Sequence, residues 1–418
     1  MGYTENLIDF IGKSTECYHA VKTAKDRLDE NGFTELFEGD KWDIQSGGKY
    51  YVIRNSSSII AFEMPKKDFG AFMICASHTD SPSFKLKPDF EINADGCIKL
   101  SVEGYGGMIM SSWLDRPLSI SGRIVTAKDG KIETKLVNID RDLLVIPSLA
   151  IHMSRDINKG YEFNIRRDMC PIASEKNGRI EDIIAENVGV DKEEILGFDL
   201  SLYNRMRGTV LGTDGEYFSA PRIDDLQCMY STLEGFLNSE RDDNVTVFAA
   251  FDNEEVGSGT KQGAKSSFLR DVLERICNNS ETYKRAVAKS FMLSCDNAHA
   301  VHPNFADKSD GTNRVYMNGG IVIKYNANQR YTTDAVSEAV VKYVCKNAGV
   351  PYQMYANRSD IPGGSTLGNL SNEKVSLNTA DIGLAQLAMH SSYETAGSRD
   401  TEYMVKMIKE FYKTEIVL

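Results

Sequence analysis

The chain has 418 residues, 41% of them hydrophobic and 26% charged, enough for a core that folds without staples in two domains or one enlarged domain. A formal net charge of -12 argues against nucleic acid and anionic membrane as partners and leaves room for a cationic cofactor. Eight cysteines with no CxxC pair argue against a disulfide framework or a zinc knuckle and point to reduced thiols in a cytoplasm.

The opening MGYTENLIDF has no basic region followed by an apolar run, so no signal peptide is expected, and no apolar run approaches the length of a membrane-spanning helix. Ser14 and Thr15 read as caps of a helix whose apolar face is Ala20, Val21, Ala24 and Leu28, closed by Gly32. Residues 50–53 and 59–62 read as strands. AFMICASHTDSP (71–82) is a buried strand running directly into His78 and Asp80. From about residue 90 the texture changes. ISGRIVTA and KIETKLVNI, joined across Asp129 and Gly130, have the alternation of an antiparallel hairpin, and a helix carries Ile180, Ile183, Ile184 and Val188 on one face. Residues 90–218 therefore read as a mainly β domain, inserted between parts of an α/β domain at 1–89 and 219–418.

A helix begins near Asp224, with Leu226, Met229, Tyr230, Leu233, Phe236 and Leu237 at helical spacing. VTVFAAFDNEEVGS (245–258) is an apolar run ending in Asp252, Asn253, Glu254 and Glu255, and KSFMLSCDNAHAVHP (289–303) is another ending at Asp296. Later come a helix with Val336, Ala339, Val340 and Tyr343 on one face, a glycine-rich turn at 360–366, His390 after an apolar run, and a terminal helix with Met404, Met407, Ile408 and Phe411.

Three apolar strands thus end in His78-Thr79-Asp80, Glu254-Glu255 and Asp296-Asn297. In open α/β sheets the ligand crevice lies outside the carboxyl ends of the strands. If these three are parallel neighbours, their carboxylates and imidazole converge, and so many carboxylates share a crevice only around a cation. Imidazoles with carboxylates are the ligand set of zinc or a similar divalent ion, and a pair of ions suits hydrolysis. Asp80 would then orient the His78 imidazole. One of the paired glutamates would be a ligand and the other a base, with Asp224 bridging two ions. Each residue also has a plainer reading: His78 as a hydrogen-bonded strand end, Asp224 as a helix cap, Asp252 and Asp296 as turn residues, His299 and His302 as structural.

HTDSP (78–82), GYGGM (104–108), SWLDRPL (112–118), IPSLAIHMSR (146–155), RIDDL (222–226), FDNEEVGS (251–258), CDNAHAVHPN (295–304), NANQRYTT (326–333), SDIPGGST (359–366) and LAQLAMHS (384–391) occur in this order. Together they resemble the aspartyl aminopeptidase and vacuolar aminopeptidase family of metallopeptidases, over nearly the whole chain. The resemblance implies an α/β catalytic domain of phosphorylase/hydrolase type, with a mixed sheet and helices on both faces, interrupted by a β-barrel-like domain used in oligomerisation. It implies two zinc ions (manganese or cobalt being the alternatives) held by His78, Asp224, Glu255, Asp296 and His390, with Glu254 as general base and Asp80 as orienting carboxylate. It implies peptide substrates cut one residue at a time from the free N-terminus, and a homododecamer built from dimers. In that assembly His152 would reach a neighbouring active site and Lys324 would meet an acidic first residue. Three departures stand out: Asp225 where asparagine is commoner, SYE (392–394) for Ile-Arg-Glu, and Ser-Thr for Ser-Pro at the first cap. The first two disfavour acidic substrates. The rivals are a two-zinc carboxypeptidase or deacylase, and a catalytically silent assembly protein, which the intact ligand set and Glu254 argue against.

Overall fold

All seven residues of the strands Phe72–His78 and Val245–Phe251 and all five of Phe291–Cys295 are buried, as strands covered on both faces must be. A computed structural model describes residues 2–416 other than 129, 177, 240–242 and 278. It places these three side by side in a nine-stranded mixed sheet. The order is Thr34–Glu35, Lys49–Arg54, Ser58–Glu63, Val245–Phe251, Phe72–His78, Phe291–Cys295, Asn378–Gly383, Ile321–Tyr325, Tyr352–Ala356. The three are parallel, with Phe251 opposite His78 and Ser294 opposite Ala76, so their carboxyl ends finish level.

The period-two alternation of strands then sorts side chains between two cores. Met73, Cys75, Phe248, Ala250 and Leu293 pack with residues of helices Tyr3–Lys13, Cys17–Glu30, Ile223–Leu237, Ala335–Ala348 and Asp400–Lys413. Ile74, Ala76, Val247, Ala249, Phe251 and Met292 pack on the other face with helix Phe268–Ile276. Burial of both faces is what makes the register rigid, since a one-residue slip would exchange the two sets.

Two local expectations are corrected. Helix Cys17–Glu30 is capped by Glu16, whose carboxylate accepts the N–H groups of Tyr18 and His19 at 3.0 and 3.1 Å, rather than by Ser14 or Thr15. The apolar opening before it is itself a helix, Tyr3–Lys13. Helix Ala335–Ala348 buries Ser337, Val341, Val344 and Cys345, while Val336 and Tyr343 are exposed. Two stripes of helical period lie on that helix. The core takes the one whose polar member is satisfied locally, the Ser337 hydroxyl bonding Asp334 Oδ1 at 2.8 Å. The terminal helix buries Met404, Met407, Ile408 and Phe411 as expected.

The chain forms two compact units. The first is residues 1–80, 208–389 and 394–418; the second is 81–207 with 390–393. These divisions differ from the expected 90 and 218 for physical reasons. Strand Ser83–Ala94 runs unbroken through residue 90. Thr209–Leu211 and Tyr217–Ala220 pair in a five-stranded sheet of the first unit with Glu394–Gly397, Ala385–Leu387 and Ala298–His299.

The second unit is a six-stranded antiparallel sheet, ordered Lys131–Asn138, Leu118–Lys128, Ile195–Asn204, Ser83–Ala94, Cys97–Tyr105, Ile172–Glu175. Bridges from Leu144 to Leu118 and from Val145 to Ile172 carry it round toward a barrel. Helix Ile180–Val188 sends Ile180 and Ile184 into its core. The hairpin turn at Asp129 lies outside the described residues. Among the described residues, no helix is long and apolar enough to cross a membrane.

Candidate metal centre

His78 is the last residue of its strand, and Thr79 donates its N–H to Phe251 O at 2.8 Å, locking two neighbouring strand ends together. The His78 ring is 1% exposed. Its Nδ1 lies 3.0 Å from the Asp80 carbonyl oxygen. A carbonyl can only accept, so Nδ1 carries a hydrogen, and Nε2, 3.3 Å from Asp224 Oδ1, is the ring atom left to face an ion. The Asp80 carboxylate is farther from Nδ1, at 3.5 Å. It accepts the backbone N–H groups of Glu254 at Oδ1, 3.1 Å, and Glu255 at Oδ2, 3.2 Å. The residue expected to orient the imidazole therefore does so mainly through its backbone, and its carboxylate fixes both glutamates.

Those glutamates begin a single 3₁₀ turn, Glu254–Val256, entered through Asn253 at φ 65° and left through Gly257 at φ 92°. Asparagine tolerates the left-handed region. Its side-chain oxygen here accepts Thr260 Oγ1 at 2.7 Å and Gln262 Nε2 at 2.8 Å. Asp252 donates its N–H to Ser58 Oγ at 2.8 Å and is an anchor of this turn.

Asp224 and Asp225 stand at the start of helix Ile223–Leu237 with non-helical dihedrals, joined by a cis peptide bond. Just before them Arg222, at φ 57°, is held by the carbonyls of Ser14 and Ile11. The Asp224 N–H donates to Glu394 Oε2 at 3.0 Å, and Asp225 Oδ2 accepts the His78 N–H at 3.0 Å. The departure from asparagine at 225 is thus a fully buried acceptor for the strand end.

Asp296 follows Phe291–Cys295, and its N–H donates to Ile382 O. Lys324, 3% exposed, donates from Nζ to Asn297 O at 2.8 Å and sits 3.6 Å from Asp296 Oδ1. A Cβ on Gly383 would stand 1.9 Å from Asp296 O and 3.2 Å from Lys324 Cε, so this close approach requires glycine.

Ligand atoms of His78, Asp224, Asp225 and Asp296 lie within 4.8 Å of one another, as do those of His78, Glu254 and Glu255. Burial, then the neighbouring carboxylates, pushes Asp225 and Glu255 well above the usual range and Glu254 up to about 8. Asp296 is raised as well, burial outweighing Lys324. Burial opposes charge on His78, but Asp225, Asp224 and Asp80 more than offset it and raise its pKa well above the ordinary value. Potential ligand atoms of a mixed imidazole and carboxylate set thus lie close together, the donor chemistry of a divalent ion of the zinc type. The residues fit such an ion.

His152 lies on an exposed turn of the second unit, among the exposed side chains of Leu149, Ile151 and Met153. His390, at φ 66°, follows strand Ala385–Leu387 and belongs to the 390–393 segment of the second unit, where its carbonyl accepts Ile109 N–H. The sequence reading singled out neither Glu394 nor Gly383. Glu394 is the last residue of the SYE motif, and Gly383 has no pattern to mark it.

A family model for aminopeptidase I zinc metalloproteases (M18) matches residues 10–412. The chain belongs to the M18 family. It is similar to a probable M18 family aminopeptidase 2 of Clostridium novyi (strain NT), 45% identical over 426 residues, 98% of each chain. A chain in the cryo-EM structure of the Ape4 and Nbr1 complex superposes with a TM-score of 0.96 at 34% identity, covering 99% of this chain and 87% of that one. The S. cerevisiae mApe1 dodecamer gives 0.86 at 29% identity, covering 98% and 96%. This M18 chain is accordingly an aminopeptidase and a zinc metallopeptidase.

Two outcomes follow for this M18 aminopeptidase. Glu254 holds a proton in the fold up to pH about 8, whereas an exposed glutamate loses it near 4.5. The folded state therefore binds more protons than the unfolded state across that window, and stability must fall as pH rises through it. Chelator-treated protein is expected to lose Tm between pH 5 and 8, and added zinc should restore it; calorimetry with and without zinc checks this. Gly383→Ala should displace Asp296 and Lys324, lowering zinc content on elemental analysis while circular dichroism stays native.

Proposed function

We propose that His78, Asp224, Glu255, Asp296 and His390 hold two divalent ions, zinc in preference to manganese or cobalt, with Asp224 shared between them. Glu254 is the general base, and Asp80, expected as the orienting carboxylate, orients the imidazole through its carbonyl and both glutamates through its carboxylate. The observation that carries this reading is the convergence of His78, Glu254, Glu255 and Asp296 at level strand ends with Asp224 at the start of helix Ile223–Leu237, Asp80 holding both glutamates by their N–H groups. Bound ions supply Lewis-acid charge that eases deprotonation of water and polarises the scissile carbonyl.

Glu254 takes the proton of the attacking water and returns it to the leaving amine. Among protein groups alone its carboxyl sits at about 8. Positive charge beside it moves that value toward neutrality, where a carboxylate can both accept and return a proton. The remaining carboxylate surface receives the substrate's α-ammonium, which restricts cleavage to the first residue.

The acidic preference implied by the family rests on Lys324. Burial opposes its charge, but Asp296, Tyr331 and Asp381 among its neighbours together outweigh burial and raise its pKa, and its ammonium is already bonded to Asn297 O. An acidic first residue must compete for that ammonium, so we expect acidic substrates to be favoured by no more than about tenfold, ~1.4 kcal/mol.

The relative from S. cerevisiae is a dodecamer. Leu149, Ile151 and Met153, 54, 47 and 77% exposed around His152, support burial of this turn against another copy and a role for His152 in trans. The mainly β domain, put at 90–218 from the sequence, then serves oligomerisation within a homododecamer. A cytoplasmic location accords with eight free cysteines.

Glu254→Gln should cut kcat by about 10²- to 10⁴-fold with zinc content unchanged, and near-normal turnover would remove it as the base. Peptides with a free N-terminus should be cleaved and their N-acetylated forms refused; cleavage of both would favour a two-zinc carboxypeptidase or deacylase. A panel of aminoacyl reporter substrates, run with Lys324→Ala beside the parent, measures the acidic preference. If the lysine change leaves relative kcat/KM for Asp and Leu substrates unaltered, Lys324 has no part in it.

A further inference from the structure

Beneath the metal centre runs a chain of buried polar side chains that no catalytic role accounts for. Glu394, Gln386, Asn297 and Gln227 are 2, 1, 2 and 0% exposed. Asn297 donates both amide hydrogens, to Gln227 Oε1 at 2.8 Å and Gln386 Oε1 at 2.9 Å, and its oxygen accepts Cys228 Sγ at 3.2 Å. Its backbone carbonyl receives the Lys324 ammonium. Gln386, its oxygen used, can only donate onward, and Nε2 lies 3.2 Å from Glu394 Oε1. The other oxygen, Oε2, accepts the Asp224 N–H at 3.0 Å.

We infer that Glu394 is a positioning residue for the metal centre, fixing Asp224 in the same frame as Asn297 and Lys324. The inference rests on Asp224 as a ligand. Position 394 faces two donors, the Gln386 amide and the Asp224 N–H. A carboxylate, which only accepts, satisfies both. An amide there would satisfy one and turn an N–H against the other. Asp224 has the non-helical dihedrals that bring Oδ1 to His78 Nε2, so its N–H has no helical carbonyl as partner, and Glu394 supplies the acceptor that makes this conformation stable. Glu394 acts through the backbone of Asp224 rather than on substrate.

This directionality sets the test. Zinc affinity is measured on the full chain by competition with a chromophoric chelator, beside thermal unfolding in excess chelator. Glu394→Gln is expected to weaken zinc binding at least tenfold. The exchange Glu394→Gln with Gln386→Glu keeps net charge and rebuilds every bond, reversing only the one between positions 386 and 394: the amide now at position 394 accepts from Asp224 and donates to the carboxylate now at position 386, which still accepts from Asn297. It should recover most of the lost affinity. Affinity in Glu394→Gln equal to the parent's overturns the inference, as does an exchanged protein no better than the single variant. Glu394→Gln that lowers only the chelated Tm would make the residue a core group and likewise overturn it. If Glu394→Gln does not fold, the exchanged protein alone decides, by parent-like or weakened zinc affinity. Asp224→Asn, run in parallel, tests the underlying ligand reading: unchanged zinc affinity there removes that reading, whatever the Glu394 variants do.

Discussion

Several carboxylates and an imidazole crowded into a buried space will not stay charged without compensation, and the rest of the catalytic unit is arranged around that constraint. Level carboxyl ends on three parallel strands bring the groups together. Full burial of those strands on both faces fixes the register, and hence the height at which His78 and Asp296 emerge. One lysine, Lys324, is held against Asp296, leaving the remaining charge for a divalent ion to balance.

The supporting hydrogen bonds are mostly between side chains and backbone. Asp80 takes the N–H of each glutamate, Asp225 that of His78, and Glu394 that of Asp224. In each case a carboxylate holds a piece of main chain at the base of a functional side chain, so the side chain itself remains available to an ion or a substrate. This also explains why irregular backbone gathers here: Arg222, Asn253, Gly257 and Ser258 are all left-handed, and the donors these turns expose need acceptors supplied from elsewhere.

What could be read beforehand divides by range. The strands ending in His78, Glu254 and Asp296 were legible because an unbroken apolar run meeting charged residues has a physical meaning, and ten ordered motifs carried the family. Residues that matter through contacts distant in sequence were not. Glu394 acts on a residue 170 positions away and Gly383 matters because of a carbonyl just past the end of another strand, and neither leaves a local pattern. The helix face at Val336 and Tyr343 misled for the opposite reason: two stripes of equal period were present, and a satisfied serine decided between them. The domain limits shifted because a change of composition at 90 falls inside a continuous strand.

Asp80 carries a consequence for how this site can change over evolution. A single aspartate touches the imidazole through its carbonyl and both glutamates through its carboxylate. Groups that would bind an ion and a group that would move a proton therefore share one mechanical reference point. A substitution there cannot trade affinity for rate, because it shifts both at once. Variation in selectivity has to come from side chains outside that shared frame.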